Sequence, residues 1–215
     1  MIDELIQTKV NSENDEYRGE KFIVIGDIHA CFHDLSIIMR KIEEFLEHKL
    51  IFLGDYIDDN GKHLGDVLDT FMALEKPTIF LKGNHEEEFL NFYSKYGTND
   101  TKRGKILNHF KLGIDHLDWL RDNLVYSYEN DNAFFSHAGI DDRKSLSEQT
   151  KYDLLNSAFK ENLDHITSKF IIQGHIIMGS VKCFGNHWFV DTGCGLGGHL
   201  SALVFPELKI ISSNN

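Results

Sequence analysis

The chain has 215 residues, 41% of them hydrophobic and 12% aromatic, enough to bury a substantial core within one domain. A formal net charge of −12 argues against tight, nonspecific binding to nucleic-acid backbones, which needs a basic footprint. No apolar run approaches the roughly 18 residues of a membrane span. The polar, acidic N-terminus is the opposite of a secretory signal, and three cysteines without a C-x-x-C pair argue against a disulfide framework, so a reduced, cytoplasmic protein without a membrane partner is expected.

In chain order, residues 1–20 read as a loosely ordered lead-in to a single domain over 21–215. Phe22–Ile25 is a short apolar run bounded by Gly26 and reads as a buried strand. From Asp34, the sequence DLSIIMRKIEEFLEH places Leu35, Ile38, Met39, Ile42, Phe45 and Leu46 at helical spacing, with Asp34 as a candidate N-cap. Lys49–Asp55 reads as a second strand, the stretch from Leu64 as a second helix, and PTIFLKGNHE from Pro77 as a third strand. The helix that follows should stop at Gly97. This β-α-β-α-β order predicts a sheet with sites at the carboxyl ends of its strands. Beyond about residue 124, NAFFSHAG, KFIIQGH, VKCFGNHWFVDTG and HLSALVFPELKII are strand-like, with one helix near Asp153–Glu161. No Pro/Gly/Ser-rich linker interrupts them, and the expected class is α/β.

Five of these strand-like segments end in groups able to bind metal: GDIH (Asp27, His29), GDYID (Asp55, Asp58), GNHE (Asn84, His85), SHAG (His137) and QGH (His175). Each has a glycine beside the ligand, which lets the backbone turn sharply and approach an ion. Aspartates, an asparagine and histidines without a thiolate suit borderline-hard divalent ions such as Mn²⁺, Fe²⁺ or Zn²⁺. Two aspartates, an asparagine and three histidines from these ends make six ligands, more than one catalytic ion with open positions needs, and they fit two ions sharing a carboxylate. Such a pair, about 3.5–4 Å apart, can generate hydroxide at neutral pH and clamp the oxygens of an in-line displacement at phosphorus.

The ordered set GDIHA, GDYID, GNHE, HAG, GH and DTGCGLGG resembles the phosphoprotein phosphatase branch of the calcineurin-like metallophosphoesterases. It is similar to the compact bacterial and phage serine/threonine phosphatases and to the diadenosine tetraphosphatases, over about residues 21–207. The resemblance implies a four-layer α-β-β-α sandwich with a bimetal site at the strand ends. It implies that Asp27, His29 and Asp55 hold one ion, most simply Mn²⁺. Asp55 would bridge to a second ion held by Asn84, His137 and His175. It places His85 at the general acid and Asp58 at the acid's partner. Protonation of a leaving alkoxide suits a histidine paired to a carboxylate.

Two positions depart from the family's pattern. Family members usually read GDxxDRG at the second motif, with the arginine on substrate phosphate, whereas this chain has Asp59 there. A second phosphate-binding arginine usually lies in a helix after the HAG motif, and here DLLNSAFKENL aligns Ala158 with it. One charge-assisted contact of this kind is typically worth about 2.7–4 kcal/mol in the transition state. Lys62, His63, Arg143 and Lys160 are the candidate substitutes. The expected activity is a phosphoesterase using a metal-bridging hydroxide. Phosphorylated protein is the leading substrate class, a dinucleoside polyphosphate or other nucleotide is the alternative, and a weakly catalytic metal-bound binding protein is a third reading. Cys194 reads as a small buried residue, and His109, His116, His187 and His199 as surface or structural. Phe89, Phe92, Tyr93 and Tyr96, at helical spacing, read as core.

Overall fold

In the computed structural model, residues 19–58, 63–97 and 99–214 are described. The expectations for most of the N-terminal lead-in and for Asp59 and Lys62 lie outside these residues. Strands β1 (Phe22–Ile25), β2 (Lys49–Phe52) and β3 (Thr78–Leu81) pair in parallel, and β4 (Leu124–Val125) adds to β3. The first sheet is completed on its other side by the antiparallel β10 (Ser201–Phe205) and β11 (Lys209–Ser212), giving the order β11-β10-β1-β2-β3-β4. A second sheet has the order β5-β6-β7-β9-β8, from β5 (Ser127–Glu129), β6 (Ala133–Ser136), β7 (Phe170–Gln173), β8 (Lys182–Phe184) and β9 (His187–Phe189). Within it β6, β7 and β9 run parallel.

The strands are apolar on both faces because both faces are covered. Along β1, Ile23 and Ile25 join one core, while Phe22 and Val24 join another. The first core lies between the six-stranded sheet and five helices: α1 (Phe32–Lys41), α2 (Leu64–Met72), α3 (Asn84–Tyr96), α4 (Asp100–Phe110) and α5 (Ile114–Asp122). The second lies between the sheets, where Phe22, Val24, Ile51 and Leu53 meet Phe135, Ile172, Trp188 and Val190. A third, formed by Phe134, Ile171, Leu163 and Leu154, lies outside the five-stranded sheet under α6 (Lys151–Asn156). Helices, sheet, sheet and a thin outer layer are therefore stacked in the α-β-β-α order expected.

The helix beginning near Asp34 is shorter than its periodicity suggests. It ends at Lys41, and the chain then folds back in turns. The Phe45 carbonyl accepts from Lys76 Nζ at 2.5 Å, His48 is buried against Glu207 at 3.1 Å, and Leu46 is left 85% exposed. Asp34 does not cap this helix. It lies in the first turn and accepts from Ser213 Oγ at 2.6 Å. The helix expected near Asp153–Glu161 is α6, nucleated by Thr150, whose hydroxyl accepts from Asp153 N. It stops at Asn156 because Ser157 turns extended and the Lys160 carbonyl is drawn to His187 Nδ1 at 2.9 Å. Ala158 is therefore not on a helix. Helices α4 and α5 fill a stretch with little periodic signal, and α4 buries no side chain completely.

Candidate metal centre

Six strands of the two sheets, β1, β2, β3, β6, β7 and β9, end at one edge. The loops leaving them carry Asp27, Asp55, Asn84, His137, His175 and Asp191. They surround a cavity of about 320 Å³ lined by Asp27, His29, Asp55, Asp58, Asn84, His85 and His175, together with Asp191 and the Gly193–Leu196 turn. Three of these residues adopt left-handed backbone: His29 (φ 44°), Asp55 (φ 50°) and His175 (φ 61°). Each such conformation costs on the order of 1–3 kcal/mol in a non-glycine residue and persists only where surrounding contacts enforce it.

Asp55 is the centre of the arrangement. Its Oδ2 lies 3.4 Å from His137 Nε2, 3.8 Å from His29 Nε2 and 4.0 Å from His85 Nε2. Its Oδ1 accepts the His85 backbone N–H at 3.0 Å. Among the described residues three groups of ligand atoms converge within 4.8 Å: Cys31–Asp34–Cys194 apart from this cavity, and His29–Asp55–His85 and Asp55–His137–His175, both of which include Asp55 and neither of which includes Asp27. His137 Nε2 is also 2.9 Å from Asn84 Oδ1 and 3.2 Å from His175 Nδ1. Asp27, buried beside the second group, accepts the His175 backbone N–H at 3.0 and 3.2 Å.

Backbone carbonyls aim the imidazoles. His137 Nδ1–H donates to Leu53 O at 2.9 Å, and His29 Nδ1–H to Ile57 O at 3.1 Å, so each turns Nε2 toward Asp55. This is the outer support a ligating histidine requires. The backbone packs equally closely. A Cβ at Gly83 would collide with Asp55 Oδ1, and one at Gly174 with Asp27 Oδ1, so both glycines leave room for carboxylates.

Electrostatics concentrate on the same groups. Burial opposes ionisation of Asp55, but His137 outweighs it by charge and hydrogen bond and holds the carboxyl well below its usual range. Burial likewise works against the His137 imidazolium, and Asp55 overcomes it, raising the ring to about 10. Burial, reinforced by Asp191, pushes Asp27 up. Burial and the His137 charge push His175 down to about 4, which leaves it neutral. Several carboxylates crowded with buried imidazoles form a donor set that divalent cations fit, since cations relieve the carboxylate repulsion and take neutral imidazole.

His85 and Asp58 line this cavity together, with the His85 ring edge-on to His29 at 4.9 Å. Arg143 and Lys160 are not brought to it. They line a separate cleft with Ala158, where Arg143 grips Asp141 through two bonds (2.7 and 2.9 Å) and Lys160 pairs with Asp142 at 3.0 Å. His63 pairs with Asp66 at 2.8 Å at the start of α2.

Two residues of the centre carry roles that the ligand pattern did not reveal. Glu86, fully buried, accepts the backbone N–H groups of Asp55 and Gly83 on one oxygen, and those of Tyr56 and Ile57 on the other, at 2.8–3.1 Å. Asp191, 3% exposed, lines the cavity and accepts Gly193 N–H at 2.8 Å. The only signals were the last letter of GNHE and the first of DTG. His187 and His116 are structural: His187 Nε2 faces Gln173 at 2.6 Å, and His116 ties α5 to Asp69 of α2 at 2.9 Å. Cys194 is buried, with its thiol hydrogen-bonded to Cys31. In the aromatic run, Phe89 is core, whereas Phe92 and Tyr96 are 48% and 38% exposed.

Two apposed mixed sheets with acidic and imidazole groups gathered at their common edge define a metallophosphoesterase-type fold and site. The chain belongs to the calcineurin-like phosphoesterase family, whose pattern matches residues 20–194. It is 24% identical to the bis(5'-nucleosyl)-tetraphosphatase PrpE [asymmetrical] of Anoxybacillus flavithermus, over 88% of this chain and 92% of that protein. To the protein of the same name from Halalkalibacterium halodurans it is 25% identical, over 89% and 93%. Among solved structures it is similar to a protein proposed to be a diadenosine tetraphosphatase (TM-score 0.68, 19% identity, 92% of this chain and 95% of that one). It is also similar to a serine/threonine phosphatase from Saccharomyces cerevisiae (TM-score 0.55, 18% identity, 93% and 80%). These last two likenesses concern the fold. The protein has a dinuclear-metal-binding, phosphoesterase-like site, and among the described residues no helix is long and apolar enough to cross a membrane.

Proposed function

We propose that the protein is a metal-dependent hydrolase of dinucleoside polyphosphates or closely related nucleotides. The observation that carries the chemistry is the Asp55 carboxylate shared by two converging ligand groups. What favours the nucleotide over phosphorylated protein is the near-complete span, above nine-tenths, of relatives named as nucleosyl tetraphosphatases. This reading puts the two substrate classes in the opposite order to the one that the resemblance implied.

In this reading Asp27, His29 and Asp55 hold one divalent ion, and Asp55, Asn84, His137 and His175 the other, with Mn²⁺ as the first candidate. When bound, such ions supply Lewis acidity and an activated water. The remaining work belongs to side chains. His85 borders the cavity with Asp58 and is 30% exposed at its side chain, which suits a donor that protonates a departing phosphate oxygen and is then re-protonated from solvent. Ile177 and Leu196 give the mouth of the cavity an apolar rim beside the Gly193 turn.

The test is a direct competition. Purified protein with added Mn²⁺ is given equal concentrations of diadenosine tetraphosphate and a phosphothreonine peptide, and products are separated by chromatography. Nucleotide products should form at least tenfold faster than free phosphate from the peptide. Preference for the peptide would overturn the substrate assignment, and no turnover of either would overturn the hydrolase itself.

A further inference from the structure

Beside the metal centre, on the far side of His85, lies a second cavity of about 460 Å³ between α3 and α4. His85 lines both cavities, so they are joined through the side chain assigned to leaving-group protonation. Its walls are aromatic: Phe92 and Phe89 from α3, and Phe110 and His109 from α4, with Phe89 and Phe110 edge-to-face at 5.0 Å. Phe92, at the position where its spacing predicts core, is nearly half exposed, and part of what it exposes lines this cavity. Two polar groups frame the apolar walls, Lys105 and Glu88. The volume lies within the range of small-molecule sites, and apolar walls with a few placed polar groups are their usual composition.

The lining narrows the occupant. Aromatic walls favour a flat ring, and Lys105 adds a cation beside them that favours an attached anion. The charges of the two helices balance: α4 carries Lys102, Arg103 and Lys105, with Arg103 paired to Asp100, and α3 carries Glu86, Glu87 and Glu88 against Lys95. An acidic peptide would leave the aromatic faces without a partner.

We infer that the α3–α4 cavity is the nucleoside subsite of this protein, holding the base and ribose of a nucleoside polyphosphate whose phosphate chain reaches past His85 to the metal centre. The inference rests on the nucleotide reading of the centre and gives it a specificity element. The base lies against Phe92 and His109, Glu88 is in place to accept from a ribose hydroxyl or exocyclic amine, and Lys105 meets a phosphate outside the reacting one. Binding at a non-reacting part of the substrate in this way can offset the arginine contact that position 59 lacks.

The experiment compares ATP with inorganic tripolyphosphate, the same phosphate chain with and without a nucleoside, by calorimetric titration of the Mn²⁺-loaded full chain. Wild type should bind ATP at least tenfold more tightly than tripolyphosphate, and Phe92→Ala should bring the two affinities within about threefold. Phe92→Tyr, which keeps an aromatic face, should retain the preference. Equal affinities in the wild type, or a preference that survives Phe92→Ala, would overturn the subsite even if diadenosine tetraphosphate is hydrolysed. A Phe92-dependent preference for ATP in a protein that hydrolyses no dinucleoside polyphosphate would uphold the subsite while the substrate assignment fell.

Discussion

Glu86 accepts the backbone N–H of Asp55 at 2.9 Å from a position with no solvent exposure, and so fixes the residue on which the metal centre converges. Its two oxygens take four N–H groups in all, two each. Burial and the neighbouring Asp55 charge push its pKa up to about 7, while the hydrogen bonds from Gly83 and Ile57 act in the opposite direction. The left-handed backbone at Asp55 (φ 50°) is held from both sides: Glu86 receives its N–H, and its carbonyl accepts from Ile28 and His29.

Glu86→Gln turns an NH₂ group toward two of those N–H donors. Leaving two buried donors unpaired at about 1–3 kcal/mol each gives an expected loss of roughly 2–6 kcal/mol. For a chain of this size that lowers Tm by roughly 4–24 °C. Thermal unfolding of the two proteins measures it, and a Tm within 2 °C of wild type would show that the four contacts are not holding the Asp55 loop.

His85→Ala separates two roles for one side chain, because His85 Nε2 lies 4.0 Å from Asp55 Oδ2, close enough to be counted among the ligand groups. As a proton donor it should lower kcat by roughly 10²–10⁴-fold with metal content nearly unchanged. The loss should be smaller for p-nitrophenyl phosphate than for phenyl phosphate, whose leaving group needs the proton more. Loss of an ion on metal analysis would make it a ligand, and equal losses on the two esters would rule out the proton-donor role.

The five strand ends that gather at the cavity were legible because each is a short apolar run broken by glycine next to an acid or imidazole, whereas the short β4 and β5 and the order of strands within each sheet were not. Buried parallel strands and sharp turns leave that trace in any sequence. Glu86 was not legible, because it satisfies backbone N–H groups of its own turn at Gly83 and of the distant Asp55–Ile57 loop, and only the fold brings those two turns together. The fates of Arg143 and Lys160 were hidden for a similar reason. Asp141, two residues away, captures Arg143 locally, whereas Lys160 is taken by Asp142, 18 residues earlier, a pairing that only the fold brings about. Phe92 shares the spacing of core aromatics, but it borders the cavity between α3 and α4 and stays 48% exposed.

Asp59→Arg restores the residue that family members usually carry at this position. It removes a carboxylate and adds a bidentate donor for phosphate. kcat/KM on p-nitrophenyl phosphate should rise at least tenfold, equivalent to about 1.4 kcal/mol. A variant with intact fold and metals that is no faster would show that other groups already grip the phosphate.

His187 gives stability a pH dependence away from the metal centre. Burial lowers its pKa from the ordinary 6.5 to about 4, against a smaller opposing effect from its bond to the Lys160 carbonyl. The unfolded chain therefore takes up a proton near pH 6.5 that the folded chain refuses until about pH 4. Stability is at full value above pH 6.5 and falls as pH drops through that window, by about 3 kcal/mol from this group. Denaturant titrations at pH 7 and pH 4.5 should show a smaller acid loss in His187→Gln than in wild type. Identical losses would mean that the ring is not held neutral.

In the proposed centre one carboxylate, Asp55, serves two ions. Metal analysis compares the wild type with Asp55→Asn, both purified without chelators and checked for fold by circular dichroism. The wild type should carry up to two ions per chain and Asp55→Asn less of both, because the amide removes a charge that both ligand groups share. A folded Asp55→Asn protein with the full wild-type metal content would mean that Asp55 does not bridge.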